Sequence, residues 1–405
     1  MAVMSVAGRR IMYFVTLVLL LCSTGVFSVP TPAGSGGSSS TKPFGNCNKF
    51  YYRKEWRTLS YLERFQFLMA MNCIISKTGK TLGLMKPTER HLYSSIKTRY
   101  DDLVATHINQ TFDVHYVGHF LPFHRYYTWT LEKMLRDEAG YTGPFPYWDW
   151  HRDFPTSGPS NNYAAFINTP MWDAVLGFGG NGGVPPPNTP DPGPMAVPGR
   201  IPGAGGCVTT GAFKTMTVNL GPGNLYNGTS RCLSRDFAPY FASRYLAKNQ
   251  TKVTLQTSDY GYFQRSVEGG PSFEASGIHG GGHYGIGGNT GTMGDLYISP
   301  GDPAFWPHHS NLDRVWWSWQ KLNPARLTDM SGPSCLMDYY VPGGPPQRCA
   351  NVTLDQPLNL GYADMVKIHV GVKVRDIMNV RDMCYDYDEL LDINGNNIPN
   401  PLYTS

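Results

Sequence analysis

The chain has 405 residues, of which 16% are charged, and its formal net charge is +4. No cluster of Lys and Arg occurs along it, which argues against the basic stripe of a nucleic-acid-binding protein. Aromatic residues make up 13% of the sequence, a proportion that suits either a rigid core or a site for flat rings.

The N-terminus has the pattern of a secretory signal peptide. Arg9 and Arg10 precede an apolar run that extends to Leu21, and small residues follow it. We therefore predict that residues 1–28 form a signal peptide and that the mature chain is secreted. An uncleaved anchor is the alternative, because the apolar stretch up to Phe27 is at the short limit of what spans a bilayer.

The rest of the chain divides by composition. Residues 29–43 are rich in Pro, Gly and Ser and predict a flexible leader. Residues 44–405 have the length of one large domain or two, and we predict one. Within them, residues 144–206 are dense in Gly and Pro and predict a long loop that covers the mouth of a site.

Helical patterns dominate this domain. Ser60 has the features of an N-cap, and Glu63 stands at the capping-box position. We predict helices at Ser60–Ile75, Thr88–Ala105, Leu121–Asp137, Asp236–Ala247 and Pro307–Lys321. After Gly361, alternation in MVKIHVGVKVRDIM predicts short strands. The fold class is therefore mainly α, a helix-bundle core with long irregular loops and a few short β-strands.

The cysteines and sequons agree with passage through a secretory pathway. Seven cysteines remain once Cys22 leaves with the signal peptide, so one is left free or pairs outside the chain. The local pairings we predict are Cys207 with Cys232 and Cys335 with Cys349. Glycosylation sequons occur at Asn109, Asn227, Asn249 and Asn351. Use of Asn109 is the least expected, since it lies close to His107.

Three histidines in the first half of the chain have the spacing of a metal site. His115 and His124 are nine residues apart and cannot share one helix face, because each residue turns about 100°. Pro122 fits the first turn of a helix, so His124 begins a new helix and His115 lies on the element before it. With His107 they favour a metal site over three separate core histidines. Imidazole suits Zn, Cu, Fe and Ni.

The second half of the chain offers another set. His279 and His283 are separated by four residues, which places both on one side of a helical turn. Pro307 restarts a helix and places His308 in its first turn, with His309 beside it. No Cys or carboxylate has matching spacing, so both sets are purely imidazole.

These motifs resemble the type 3 copper family, which comprises tyrosinases, catechol oxidases and haemocyanins. The resemblance rests on H-x8-H with FLPFHRYY, then HxxxH, then DPxFxxHHxxxDRxWxxWQ, and extends over about residues 47–387. It is most evident with the short ascomycete-type polyphenol oxidases. It implies two copper ions, one held by His107, His115 and His124 and the other by His279, His283 and His308. His119 and His309 match positions that do not bind metal, and His309, Asn311 and Asp313 would surround the ligands.

The resemblance also implies a function. We expect oxidation of o-diphenols and o-aminophenols to o-quinones, with dioxygen reduced to water and small phenols as the partners. A tyrosinase that also hydroxylates monophenols is the alternative, and a haemocyanin-like oxygen carrier is a remote one. Tyr385-Asp386-Tyr387 matches the tyrosine motif that closes the catalytic core of the family. The chain stops at Ser405, so we expect no C-terminal shielding domain.

Departures from the family pattern bear on the substrate. Many tyrosinases carry Asn after the first ligand of the second copper, and that Asn works with a Glu upstream to orient a water that deprotonates monophenols. This chain has Gly280 there, which favours the diphenol oxidase. Glu274 is the better match for the Glu, and Glu268 is a looser one. Asp113 stands where some fungal members have a Cys linked to histidine, so no thioether is expected.

The glycines between His279 and His283 are costly in a helix, at roughly 1 kcal/mol each. Their missing side chains would leave room above the second copper. Close packing of that turn against a neighbour is the alternative.

Overall fold

The computed structural model describes residues 43–45, 47–154, 163–189, 192–270, 272–336, 349–362 and 371–403. The predicted signal peptide and nearly all of the predicted leader lie outside these residues. The described part is mainly helical, as predicted. Its helices are α1 (Tyr61–Ser76), α2 (Thr81–Leu84), α3 (Arg99–Val114), α4 (Phe120–Ala139), α5 (Ala164–Ile167), α6 (Pro239–Leu246), α7 (Lys248–Leu255), α8 (Tyr260–Glu268), α9 (Ile278–Gly287), α10 (Phe305–Lys321) and α11 (Val374–Ile377).

Short 3-10 turns join many of these helices. They lie at Trp56–Thr58, Arg90–Tyr93, Trp150–Arg152, Pro170–Trp172, Gly193–Met195, Phe273–Ala275, Thr292–Gly294, Ser299–Gly301 and Pro324–Leu327. Besides α5 and a two-residue strand at Pro146–Tyr147, the described residues between 144 and 206 contain only such turns, which agrees with the predicted long loop. In the described ranges, no helix combines the length and apolar character that crossing a bilayer requires.

Capping side chains set the start of the long helices. The hydroxyl of Ser60 accepts from the backbone N–H of Glu63 at 3.2 Å, and the Glu63 carboxylate accepts from the Ser60 N–H at 2.7 Å, so the predicted capping box of α1 is confirmed. The prediction of a helix over Thr88–Ala105 is wrong in its bounds. Thr98 caps the N-terminus instead, because its hydroxyl accepts from the N–H of Asp101 at 3.0 Å. The helix therefore begins at Arg99 and continues to Val114.

The buried helix α10 packs against both α4 and α9. Helix α4 packs against α1 and α10, and α9 packs against α6, α8 and α10. Every residue of α10 from Phe305 to Gln320 is buried. Helix α10 thus contacts both α4 and α9, and these three helices carry His124, His279, His283, His308 and His309.

The strands are short. They are β1 (Tyr51–Glu55), β2 (Pro146–Tyr147), β3 (Thr217–Val218), β4 (Arg231–Cys232), β5 (Tyr385–Tyr387), β6 (Glu389–Leu391) and β7 (Asn397–Pro399). Strand β1 lies between β2 and β5 and runs parallel to both, with Tyr51 opposite Tyr385. The tyrosine motif therefore forms β5. Pairs β3–β4 and β6–β7 are antiparallel.

The predicted strands after Gly361 are largely outside the described residues, because residues 363–370 are not described. The end of that segment is helical, so the strand prediction is wrong for Val374–Ile377. The Asp376 carboxylate accepts from the backbone N–H of Lys373 at 2.9 Å, which caps this turn as a helix.

Disulfides close the fold at several points. The predicted pairs Cys207–Cys232 and Cys335–Cys349 are confirmed. Cys47 pairs with Cys384 and joins the start of the described chain to the tyrosine motif. Cys73 is also disulfide-bonded, so no described cysteine is a free thiol. The odd cysteine was predicted for the mature chain after loss of residues 1–28, which include Cys22 and lie outside the described residues, so a cysteine that is free or pairs outside the chain stays a prediction.

Candidate metal centre

The first histidine set lies where α3 ends and α4 begins. His107 lies on α3, His115 follows the last residue of that helix, and His124 lies in the early part of α4. One ring nitrogen from each lies within 4.8 Å of the others. Pro122 occupies the first turn of α4, so His115 and His124 belong to different elements, as the nine-residue spacing requires.

Backbone carbonyls orient these three rings. Each Nδ1 bonds to a backbone carbonyl oxygen: His107 to Tyr297 at 2.8 Å, His115 to Thr111 at 2.7 Å and His124 to Phe120 at 2.8 Å. A carbonyl only accepts, so Nδ1 carries the proton and Nε2 keeps its lone pair. This is the orientation typical of metal-binding histidines. The Nε2 atoms of His107 and His124 are buried and have no partner among the described residues.

The second set joins α9 and α10. His279 and His283 lie one turn apart on α9, and His309 on α10 completes a group whose nitrogens are within 4.8 Å. His283 Nδ1 donates to the Met293 carbonyl at 3.0 Å, which leaves its Nε2 toward His309. The Nε2 of His279 is buried without a partner in the described part of the chain.

The assignment of His308 to this set is wrong, because His308 faces away from it. Its Nε2 lies 3.0 Å from the backbone oxygen of His279. Its ring occupies the space beside Gly282, where a Cβ would clash with it. His309, expected only to surround the ligands, takes the position instead, and its ring stacks on Phe305 with centroids 3.9 Å apart.

The two sets face each other. The rings of His124 and His309 stack with centroids 4.6 Å apart, and those of His115 and His279 stack at 5.9 Å. A metal ion in one set would therefore be a direct neighbour of an ion in the other.

Burial makes all six imidazoles neutral. It lowers the pKa of His115 to about 4 and that of His283 to about 3. For His107, His124, His279 and His309 the pKa is lowered well below its usual value by burial first and then by neighbouring histidines. Metal binding needs the neutral imidazole. The neutral rings and the unpartnered Nε2 atoms therefore fit a pair of imidazole-bound metal ions.

A cleft opens onto both sets. His115, His279 and His283 form its floor, and Glu268 and Gly280 line its side. The Glu268 carboxyl accepts from the backbone N–H of Tyr116 at 2.6 Å and also from the Gln264 amide. Burial raises the pKa of Glu268 well above its usual range. Tyr116 has a φ of +57°, a left-handed conformation that non-glycine residues rarely adopt, and this turns its N–H toward Glu268.

The expectation that Glu274 lies at the site is wrong. Glu274 is exposed in the turn Phe273–Ala275 and does not line the cleft. Glu268 ends α8, and Gly269, with a φ of +75°, reverses the chain there so that the carboxyl remains inside. The looser match to the family pattern is therefore the one at the site.

The three glycines between His279 and His283 on α9 differ in what a side chain at each position would contact. A Cβ at Gly281 would lie 2.7 Å from the Cβ of Tyr245, and one at Gly282 would meet His308, so close packing explains both. A Cβ at Gly280 would meet only the Ser276 side chain within 3.5 Å. Gly280 is thus the position that leaves room in the cleft.

Other predicted residues lie around the sets rather than in them. Asp313 accepts from Arg125, the neighbour of His124, and Asn311 accepts from Arg314 at 3.1 Å. His119 precedes α4 and belongs to neither set. No described residue between 144 and 206 lines the cleft, and residues 155–162 and 190–191 lie outside the described residues, so a loop over the mouth of the site stays a prediction.

The four sequon asparagines are all exposed: Asn109, Asn227, Asn249 and Asn351. Asn109 lies on α3, where its side chain accepts from the Gln110 amide at 2.7 Å. Asn351 accepts from the N–H of Gly332 at 2.8 Å. Their glycosylation stays a prediction.

Comparison with known proteins identifies the family. The model of the common central domain of tyrosinase matches residues 97–322, a range that contains both histidine sets. The chain belongs to the tyrosinase family. Tyrosinase P of Aspergillus terreus is 32% identical to it over 342 residues, which cover 80% of this chain and 88% of that protein. The N-acetyl-6-hydroxytryptophan oxidase ivoB of Emericella nidulans is 31% identical over 372 residues, with 85% and 93% covered.

A solved structure supports the same assignment. The polyphenol oxidase of Thermothelomyces thermophila, solved as a variant with one glycine replaced by asparagine, is 32% identical to this chain. It superimposes with a TM-score of 0.65 over 85% of this chain and 91% of the other. This tyrosinase-family chain is therefore a copper oxidoreductase.

Proposed function

We propose that the enzyme oxidises o-diphenols and o-aminophenols with dioxygen, using two copper ions held by the two histidine sets. A diphenol loses two electrons and two protons to become an o-quinone. Two such oxidations reduce one dioxygen to two waters. The observation that carries the proposal is the pair of facing, buried sets of three neutral imidazoles, one with His107, His115 and His124 and one with His279, His283 and His309.

The chain's own residues orient the imidazole rings and keep bulk water away from them. Three carbonyls fix the first set, and Met293 fixes His283, so the rings need not reorganise during the reaction. Copper ions held there would supply two one-electron acceptors and a place for dioxygen. The cleft brings the substrate's hydroxyls to the floor formed by the histidines, while burial of the rings excludes bulk water.

Gly280 supports diphenol oxidation over monophenol hydroxylation. A monophenol with a pKa of about 10 must first lose its proton. That step needs a base, or a water held by one, within about 3 Å of the phenol oxygen. Gly280 has no side chain that could hold such a water.

Monophenol hydroxylation is the second candidate, and Glu268 favours it. This buried carboxyl lines the cleft beside His115 and His279, where a water bound to it would reach a phenol on the cleft floor. Its two oxygens already accept from Tyr116 and Gln264, which limits how firmly it holds a water.

Matched substrate pairs separate the two candidates. Rates with tyrosol and tyramine are compared with rates for hydroxytyrosol and dopamine, the matching catechols. The proposal expects fast turnover of both catechols and slow or absent hydroxylation of both monophenols. Equal rates within a pair would favour the tyrosinase alternative.

We also propose that the mature enzyme is secreted after loss of residues 1–28. Its disulfides support this, since such bonds persist in oxidising compartments. N-terminal sequencing of protein secreted by a eukaryotic host tests the cleavage site, and an intact Met1 would contradict it.

A further inference from the structure

The described residues that line the cleft include no Lys or Arg. Its polar groups, apart from the histidines, are Glu268, the side chains of three serines and those of Tyr116 and Tyr284. Two cations on the neighbouring helices α6 and α8 lie over tyrosine rings. Arg244 lies over the Tyr245 ring at 5.3 Å, and Arg265 lies over the Tyr262 ring at 4.8 Å. Neither lines the cleft.

The cleft has a buried end and an exposed end. His115, His279 and His283 are buried at its floor, whereas Ser272 is exposed and Leu296 is 37% exposed. Because the hydroxyls of a diphenol must reach the floor, a substituent on the opposite side of its ring points toward the end with Ser272 and Leu296.

An anionic substituent would find no partner at that end. The walls of the cleft remove part of the hydration of that charge although the end is exposed, and no counter-charge in the described lining offsets the loss. Glu268 does not help in either protonation state, since the ionised form repels an anion and the neutral form carries no positive charge. Any charge on the metal ions acts at the hydroxyl end and is common to all diphenols.

We propose that this cleft discriminates against o-diphenols and o-aminophenols that carry a carboxylate and selects those whose substituents are uncharged or cationic. The inference rests on the proposed function and specifies the substrate class of the same site. The decisive features are the absence of a cation from the described lining and the presence of Glu268 there.

A matched acid and ester test this selectivity. 3,4-Dihydroxyphenylacetate and its methyl ester have the same diphenol head, and the methylene group insulates the ring from the difference in charge. At pH 7 we expect kcat/KM for the acid to be lower than that for the ester by about tenfold, as expected for one charge left without a partner. Equal values within about twofold would overturn the inference.

A variant pair tests the electrostatic cause. Leu296 is partly exposed, so Leu296→Arg can be accommodated with its stem along the cleft wall. The acid-to-ester ratio of kcat/KM should rise at least about threefold in Leu296→Arg and stay near the wild-type ratio in Leu296→Gln, and added salt should remove the gain. If both variants shift the ratio equally, charge is not the cause.

The oxidation of 4-methylcatechol by the same copper-loaded enzyme distinguishes failure of the proposed function from failure of the proposed selectivity. No oxidation of 4-methylcatechol overturns the proposed function and this inference with it. Oxidation of 4-methylcatechol with equal use of acid and ester overturns this inference alone.

Discussion

The Nε2 atoms of His283 and His309 lie 3.1 Å apart, which joins α9 and α10 at the second histidine set. Two neutral imidazoles can approach this closely through one shared proton, and a metal ion between them would replace that proton. His308, the neighbour of His309, has its Nε2 on the carbonyl of His279 instead.

Replacing these two histidines should therefore have unequal effects. His309→Ala is expected to lower the copper content from two ions per chain to one and to remove nearly all oxidase activity, because it deletes one of three imidazoles. His308→Ala should keep both copper ions. Metal analysis of the two purified variants checks this, and the reverse pattern would contradict the assignment.

Gly280→Asn should raise monophenol hydroxylation relative to diphenol oxidation. The new amide would reach into the cleft beside Glu268 and could hold a water there. Its Cβ would meet the Ser276 hydroxyl, a contact that rotation of that side chain relieves. The measurement is the ratio of rates for tyrosol and hydroxytyrosol.

Gly280→Ala is the matched control for that variant, since it adds the Cβ without the amide. We expect it to leave the monophenol-to-diphenol ratio near the wild-type value. If alanine raises the ratio as much as asparagine, the effect is steric and the water-holding account of Gly280 is wrong.

Glu268→Gln, introduced into Gly280→Asn, should reverse the gain in hydroxylation. The amide keeps the shape of the carboxyl but removes the base, and general base catalysis typically contributes at least about 100-fold. Glu274→Gln in the same background should have no effect, because Glu274 is exposed outside the cleft. Loss of hydroxylation in the Glu274 variant alone would restore the assignment made from the sequence.

Asp313→Asn should destabilise the protein strongly. Asp313 forms ion pairs with Arg125 and Arg53 and accepts from Tyr385 at 2.6 Å and Tyr387 at 2.5 Å. Breaking a buried ion pair leaves an uncompensated charge and costs about 3–5 kcal/mol. Thermal unfolding of the copper-loaded variant measures the loss, and a change as small as that of Tyr387→Phe would contradict it.

The same contacts predict sensitivity to acid. Burial would raise the pKa of Asp313, but Arg125 and Arg53 outweigh it and hold the pKa below its usual value. A lowered folded-state pKa gives stability that is present above the unfolded value of about 3.9 and is lost as pH falls through the folded value. In unfolding measured against pH, Asp313→Asn should therefore lose less stability below about pH 4 than the wild type.

The sequence predicted what depends on local pattern. Ser60 and Glu63 form the capping box that their spacing indicates, and Pro122 separates the elements of His115 and His124 as expected. The spacing of His279 and His283 predicted one helical face, and both lie on α9. Each of these features is decided within a few residues of chain.

Which of two neighbouring side chains faces the site depends on packing and could not be predicted from local sequence pattern. His308 and His309 differ by about 100° on α10, and every residue from Phe305 to Gln320 is buried, so hydrophobic periodicity does not show which one faces the site. Helix rotation decides it, through Phe305 stacking on His309 and Gly282 leaving space for His308. The start of α10 at Phe305 rather than Pro307 is part of the same difference.

Glu268 and Glu274 illustrate a similar limit. Glu274 is nearer in sequence to His279, which made it the better match to the family pattern. The chain reversal at Gly269 keeps Glu268 inside the cleft and leaves Glu274 in an exposed turn. A single sequence indicates that a reversal is possible at Gly269 but not which carboxyl it buries.

Metal content of the purified, copper-loaded enzyme tests the central claim most directly. Two sets of three buried imidazoles predict two copper ions per chain, retained in the presence of equimolar zinc. One metal ion per chain, or zinc bound in preference to copper, would contradict the account.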